Sequence, residues 1–422
     1  MRDHSRHIQL SCEQAIEAIV SVCDFHPAIE EVPLTEAFGR VLAADATAQL
    51  DMPNCLTCAM DSVAVRWDDF EAAQAEQGDD AIPDTSEWVR GVQWEFANTG
   101  VGMPEGFDTA IVVEHASFSD DETHVLFDAV PSGRFAGTIP AGERMHAGDV
   151  LVPAGTRITP LLAAHIASGN NTSVQVVTRP RVAFIPTGNE LAPAGGEIPR
   201  GCNIESNGLL MRGKILEWGG EPIIFDIVRD DPQSIEDALR RAAAEADIIV
   251  LNAGSSKGSD DWSLEVLERI GRVLYHQTNH GPGHHSSCSV LDGVPVIGIS
   301  GPPGGAAFTT DFYLRPAMQA WFGEVPGPVR LHVRMACDLP AFRHKGGKLA
   351  GEQRPSEGGT FFSVKQLALS LADDGVIEAR PVPGGRPGPM DAEKAHAYFL
   401  MDGDNPPVAG DFIEVSLRPE MR

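Results

Sequence analysis

The sequence predicts a multi-domain chain of mixed class, α/β plus β, centred on a doubly wound sheet and ending in a small β domain. Three observations carry this. From Arg179 onward, apolar β-runs alternate with helical stretches, and that βαβα order makes an open, largely parallel sheet with helices on both faces. Before Arg179, short β-rich runs are separated by long polar loops. From about Gly327, short β-runs rich in Gly and Pro replace the helical periodicity.

The first element is a helix: Ser11 and Gln14 make a capping-box start, and Ile16, Ile19, Val20 and Cys23 recur at helical spacing. Residues 62–66 and 109–113 read as strands, whereas the acid- and amide-rich stretch 68–90 reads as an exposed loop or short helix. Residues 160–169 form a helix stopped by Gly169. In the α/β region, 181–185 is a strand, and Ser206 caps a helix that runs through Leu210, Ile215 and Leu216 to Gly219-Gly220. After a strand at 223–228, Asp231-Pro232 opens a helix over 233–245 with proline at its first position. A strand at 247–251, a helix at 263–270, and strands at 272–276 and 294–299 follow. The last helix spans about 304–321 and is ended or kinked at Pro316.

Lys plus Arg number 32 against 60 Asp plus Glu, and a net charge of −28 works against nucleic acid or an anionic membrane surface as partner. A small anion is still compatible, because the N–H groups of a Gly-rich loop act at short range. With 42% apolar and 22% charged residues, the composition is that of a globular chain rather than a disordered one. No run of about 18 apolar residues exists to span a membrane, and residues 1–14 lack the apolar core of a signal peptide. Seven cysteines without framework spacing point to a reduced, cytoplasmic protein.

In open α/β sheets, ligands bind outside the carboxyl ends of the strands. Three such ends carry loops suited to anions: Pro186-Thr187-Gly188-Asn189-Glu190, then Asn252-Ala253-Gly254-Ser255-Ser256-Lys257-Gly258 running through Ser259 to Asp260-Asp261, then Ser300 to Gly305 leading into a helix. Glycines permit close backbone approach, hydroxyls donate, and a helix N-terminus adds partial positive charge. One such loop is an ordinary βα turn; three on one edge make a site. Neither a Walker sequence nor G-x-G-x-x-G after a strand is present, so nucleotide-kinase and dinucleotide readings lack their signature. Asp230 and Asp261 reach the same edge and could share a hard cation such as Mg²⁺, while Asp231 before Pro232 is an N-cap. Cys55 and Cys58 form a lone C-x-x-C, which reads as two incidental thiols. His280, His284 and His285 cluster in a Gly-Pro loop where they could meet phosphate or metal, or simply water.

At this point the residues resemble the MoeA-type molybdopterin molybdenumtransferases, which include the gephyrin E domain. The resemblance runs in order along almost the whole chain: residues 32–43, Ala59-Met60-Asp61-Ser62-Val63-Ala64-Val65-Arg66, Asn98-Thr99-Gly100 with 104–114, Thr187-Gly188-Asn189-Glu190-Leu191, Ser206-Asn207, Asp230-Asp231-Pro232, and the loop ending in Asp261. It implies a homodimer of elongated four-part subunits. The parts are 1–48 with 141–178, an inserted β-rich domain at 49–140, a molybdopterin-binding α/β domain at 179–324, and a C-terminal β domain at 325–422. It also implies cleavage of adenylylated molybdopterin with Mg²⁺, release of AMP, and insertion of molybdate into the dithiolene. Molybdoenzyme-maturation proteins are the further partners it suggests.

Carried over by position, the catalytic set is Asp61, Thr99, Glu190 and Asp261, with Asp230 and Asp261 on the metal. Thr187, Gly188, Asn189, Ser206, Asn207, Gly254, Ser255, Ser256, Lys257, Gly258, His284 and Gly301 would hold the pterin and oxyanion. Asp61 and Thr99 would act from across the dimer. The chain departs from the family at several places: Leu56-Thr57-Cys58 replaces D-N-S, and Arg144 replaces the acid of G-E-D. Gly281 and His284 replace the two lysines of K-P-G-K-P, and 300–305 lacks the asparagine and serine of P-G-N-P-x-S. Lys257 and Arg144 are compensating cations on this reading. Two other readings stay open: a non-catalytic member that binds a pterin, an oxyanion or a protein, and a variant that handles tungstate.

Overall fold

The computed structural model describes residues 9–78, 81–253, 262–339, 361–382, 394–402 and 405–419. The chain divides into two compact units, one of Met1–Ala28 with Thr178–Arg422 and one of Ile29–Val177.

In the first unit a six-stranded sheet runs in the order Glu221–Ile224, Arg181–Pro186, Ile248–Ala253, Val294–Ser300, Ser287–Leu291, Arg272–Tyr275. The first four strands are parallel and the last two antiparallel. The parallel strands are continuous apolar runs because helices cover both of their faces. One face packs Phe184, Val250, Ile297 and Met211, and the other packs Ile185, Ile249, Leu251 and Leu239. The helix Pro232–Glu245 shows how these covers form. Asp231 accepts from the Ser234 amide at 2.9 Å, proline occupies the first turn, and Ile235, Ala238, Leu239 and Ala242 make a buried i, i+3, i+4, i+7 stripe. Burying Ile235 and Leu239 contributes about 1.5–3 kcal/mol each.

Four features differ from the sequence reading. The strand Ser287–Leu291 was not expected, yet its turn was announced. Leu291 pairs with Val294 across Asp292-Gly293, both at positive φ, which is the Asp-Gly signature of a two-residue hairpin. Pro316 neither ends nor breaks its helix. A π turn, Thr310–Leu314, joins Pro303–Thr309 to Arg315–Trp321, so the proline enters the early turn of a new helical segment where its missing N–H is tolerated. Ser206 stands at the N-cap of Asn207–Glu217 without a side-chain cap bond; the Glu205 carboxylate instead accepts from the Gly208 amide at 2.8 Å. Finally, the helix Cys12–Val20 packs Cys12, Ala15 and Ile19 onto the α/β core, so residues 9–28 lie with that unit rather than with 29–48.

The C-terminal β domain is a small barrel. Phe362–Leu371, Ile377–Pro381, Arg330–Met335, Phe412–Leu417 and Ala397–Asp402 pair in that order, and Ala397–Asp402 closes back on Phe362–Leu371. Closure leaves no open edge among these strands, and Val333, Met335, Leu367, Met401 and Val415 fill the inside.

In the second unit, Ser62–Val65 lies between Trp94–Ala97 and Thr109–Val112, all antiparallel. The stretch read as an exposed loop or short helix contains the helix Trp67–Ala75, but it is not merely exposed. Phe70 and Trp88 are buried against Trp94 and Phe127 and anchor this small core. A further core joins Val32, Leu42, Ile158, Ile166 and Val176 under the paired strands Ile29–Pro33 and Ser173–Val177. Among the described residues, no helix is long and apolar enough to cross a membrane.

Candidate functional site

Parallel register brings three strand ends side by side: Pro186 is opposite Asn252, and Ala253 opposite Ser300. The loops that follow therefore share one edge. Asn252 ties them together. Its backbone carbonyl accepts from the Thr187 amide at 3.0 Å and hydroxyl at 3.2 Å, and its side-chain amide donates to the Ser300 carbonyl at 2.8 Å. Asn207 completes the frame from the first turn of its helix. Its Nδ2 donates to Asn252 Oδ1 at 2.9 Å and to the Gly301 carbonyl at 2.8 Å. Both asparagines are buried, and Asn207 Oδ1 has no hydrogen-bond partner among the described residues. A buried acceptor without a donor is costly, which marks this atom as one that a ligand N–H could satisfy.

Thr187, Gly188, Asn189 and Glu190 turn out of the first strand. Gly188 has φ of +154°, a backbone conformation that L side chains rarely adopt, so the turn favours glycine. Its amide donates to the Val228 carbonyl at 3.1 Å. Asn189 and Asp230 clasp each other: the Asn189 amide donates to Asp230 Oδ2 at 3.1 Å, and the Asp230 amide to Asn189 Oδ1 at 3.3 Å. The clasp holds the Asp230 carboxylate beside the Glu190 turn, where Glu190 is exposed and Asp230 half-buried.

The loop that carries His284 approaches the Gly301 turn. A Cβ on Gly305 would lie 3.7 Å from the Gly283 amide nitrogen. His284 and His285 are half-buried, with ring centroids 3.6 Å apart. His280 is a different case. It is fully buried, with Nε2 at 2.5 Å from the Tyr313 hydroxyl and Nδ1 at 3.1 Å from the Pro282 carbonyl, so it latches the loop from inside. Gly254, Ser255, Ser256, Lys257, Gly258 and Asp261 lie outside the described residues, and with them the Asp230–Asp261 pairing. Among the described residues no group of three or more His, Cys, Asp or Glu side chains is arranged to hold a metal.

Asp61 and Thr99 belong to the second unit and meet there. Asp61 Oδ1 accepts from both the Thr99 amide and the Thr99 hydroxyl, each at 2.9 Å. These two donors, the amide first, hold the Asp61 carboxyl below its ordinary range. The sign follows: the contact is fully present above the unfolded carboxyl pKa and is lost as pH falls through the lower folded value. Thr99→Val removes the hydroxyl and keeps the amide, so the Asp61 titration midpoint should move up yet stay below 3.8. An NMR titration reads this directly, and an unmoved midpoint would reject the contact. The Cys58 thiol is buried and donates to the Met60 carbonyl at 2.8 Å, while Cys55 is exposed; both are free thiols.

Asn252 opens the second anion loop of the sequence, but sequence reasoning did not single it out as a site residue. Its signal was an amide closing the apolar run Ile248-Ile249-Val250-Leu251 at the sheet edge.

The comparisons with known proteins agree with this architecture. Residues 10–169 match the MoeA N-terminal region (domain I and II), and residues 183–320 match the probable molybdopterin binding domain. The molybdopterin molybdenumtransferase of Nostoc sp. is 29% identical over 345 residues, 78% of this chain and 77% of that protein. That of Bacillus subtilis is 26% identical over 339 residues, 77% of this chain and 78% of that protein. A crystal structure of the molybdopterin biosynthesis MoeA protein from Pyrococcus horikoshii covers 97% of this chain and 99% of its own, with a TM-score of 0.75 at 22% identity. With both family regions matched in sequence order and the fold shared end to end, the chain belongs to the MoeA family.

Proposed function

We propose that the sheet edge described above binds adenylylated molybdopterin, that the phosphoanhydride is cleaved there with release of AMP, and that molybdate passes to the dithiolene. The chain is a transferase of molybdenum cofactor biosynthesis, as its curated relatives are. The observation that carries the finer reading is the Asn207–Asn252–Gly301 frame, whose Asn207 Oδ1 has no partner among the described residues. A pterin ring offers N–H donors at its edge, and an acceptor already desolvated favours a ligand that supplies one.

The residues divide the work by position. Thr187, Gly188 and Asn189 shape the turn, and Asn207 and Gly301 hold the ring. The glycines and hydroxyls of 254–258, with Lys257 and His284, meet the anionic end. Asp230 and Asp261 are the ligands for Mg²⁺. A half-buried carboxylate clasped in place, such as Asp230, suits an ion that keeps several waters and binds substrate oxygens. When bound, a divalent cation offsets the charge that develops on phosphate oxygens. Glu190 orients the attacking water and takes its proton, and AMP leaves with the bonding pair. Asp61 and Thr99 act on molybdate or the dithiolene from the partner subunit of a cytoplasmic homodimer.

The test is AMP release from adenylylated molybdopterin by the purified protein with Mg²⁺, with and without molybdate. Molybdate-stimulated release is expected, falling by about 10²-fold or more in Glu190→Gln and likewise in Asp230→Asn. Tight pterin binding with no release by the wild type would replace the enzyme with a carrier. Release unchanged in both variants would move the chemistry off this edge.

A further inference from the structure

One face of the helix Asn207–Glu217 carries Asn207, Met211 and Lys214, all buried. Their i, i+4, i+7 spacing puts them in line over two turns. The helical segment that starts at Pro303 runs beside it, and both leave the same edge of the sheet. Three contacts link them in sequence. Asn207 grips the Gly301 carbonyl, Met211 Sδ lies 3.7 Å from the Thr310 hydroxyl, and Lys214 is ion-paired with Asp311. The Lys214 and Asp311 side chains are 6% and 2% exposed, and Tyr398 from the C-terminal barrel donates to the other Asp311 oxygen at 2.8 Å. Asp311 sits in the π turn.

A lysine and an aspartate in this setting are not the choice for stability alone, since an apolar replacement of a buried ion pair is often neutral or stabilising. What such a pair specifies is register, because sliding either helix would strand a charge in the core. We propose that Lys214 and Asp311, with Tyr398, are positioning residues that set the axial register of the two helices and hence the grip of Asn207 on Gly301 and Asn252. The proposal rests on the reading of that frame as the pterin site. It also gives the barrel a part in binding, through the Tyr398 hydroxyl.

The experiment measures molybdopterin affinity by pterin fluorescence in four full-length proteins. These are the wild type, Asn207→Ala, the charge-free Lys214→Met/Asp311→Leu/Tyr398→Phe, and the last two combined. The charge-free protein should melt close to the wild type yet bind molybdopterin about tenfold more weakly, which is about 1.4 kcal/mol. In the Asn207→Ala background the same three changes should add nothing, because they act through that side chain. Wild-type affinity in the charge-free protein, or a loss that adds in full to that of Asn207→Ala, overturns the proposal and leaves the site reading standing. Wild-type affinity in Asn207→Ala overturns the site reading and the proposal with it. Should the charge-free protein not fold, Tyr398→Phe alone serves. A two- to threefold loss absent from the Asn207→Ala background supports the proposal, and an unchanged affinity rejects it.

Discussion

Lys214→Met on its own should destabilise the protein by about 3–5 kcal/mol, because it removes one member of a buried ion pair. The Lys214 and Asp311 side chains are 6% and 2% exposed, so water cannot take the place of the lost ammonium, and the Tyr398 hydroxyl brings no charge. With a slope of roughly 2–4 °C per kcal/mol for a unit of this size, the melting midpoint should fall by roughly 6–20 °C. A control comes from the helix Pro232–Glu245. Arg240 pairs with Glu236 at 2.8 Å, but its side chain is 51% exposed, and Arg240→Met should cost less than about 1 kcal/mol. Both follow from denaturant unfolding. Equal effects of the two substitutions would mean that burial does not set the cost of the Lys214 change.

The second large effect is one of pH. Burial first, and the neighbouring His284 charge second, press the His280 pKa down from 6.5 to about 4 against the pull of the Pro282 carbonyl. The neutral ring uses both nitrogens, with Nδ1–H donating to Pro282 and Nε2 accepting from the Tyr313 hydroxyl. Between pH 6.5 and 4 the unfolded chain therefore binds a proton that the folded chain does not, so stability falls as pH falls through this window. Above pH 6.5 the contribution is complete, and below pH 4 the loss stops growing at about 3 kcal/mol. Exposed carboxylates titrate mainly at the lower end of the same range, so the quantity to measure is a difference. Urea unfolding at pH 7 and pH 4.5 should show a smaller drop for His280→Gln than for the wild type, by about 2–3 kcal/mol. Identical drops would place a proton on His280 in the folded state.

Much of this molecule was legible before its coordinates. The apolar runs at 181–185, 247–251 and 294–299 became the parallel strands, and the Asp231-Pro232 start became a capped helix, because local chemistry decides both. What stayed hidden depends on residues far apart in sequence. Cys12–Val20 was readable as a helix, but an amphipathic stripe does not say which core it will meet. Lys214 has the composition of a solvated helix position, and its ion pair with Asp311, 97 residues later, is what sequence does not announce. The Asn207–Asn252 contact spans 45 residues and depends on the register of three strands. The turn chemistry of Gly188 and Asn189 was visible, whereas the clasp between Asn189 and Asp230 was not.

The unit Ile29–Val177 is spliced into the other, which begins before it and resumes after it. The chain enters on Ile29–Pro33 and leaves on Ser173–Val177, and Ile29 is paired with Val177. On the ribosome this order has a consequence. Everything the inserted unit needs has been made once residue 177 has emerged, so it can fold while synthesis continues. The helix Cys12–Val20, made earlier, must wait for Tyr313 and Leu314, against which it finally packs. At about 5–20 residues per second that wait is roughly 15–60 s. For that time Ile16, Ile19 and their neighbours are an apolar segment without a core, and this early-made helix is the part of the nascent chain most in need of a chaperone.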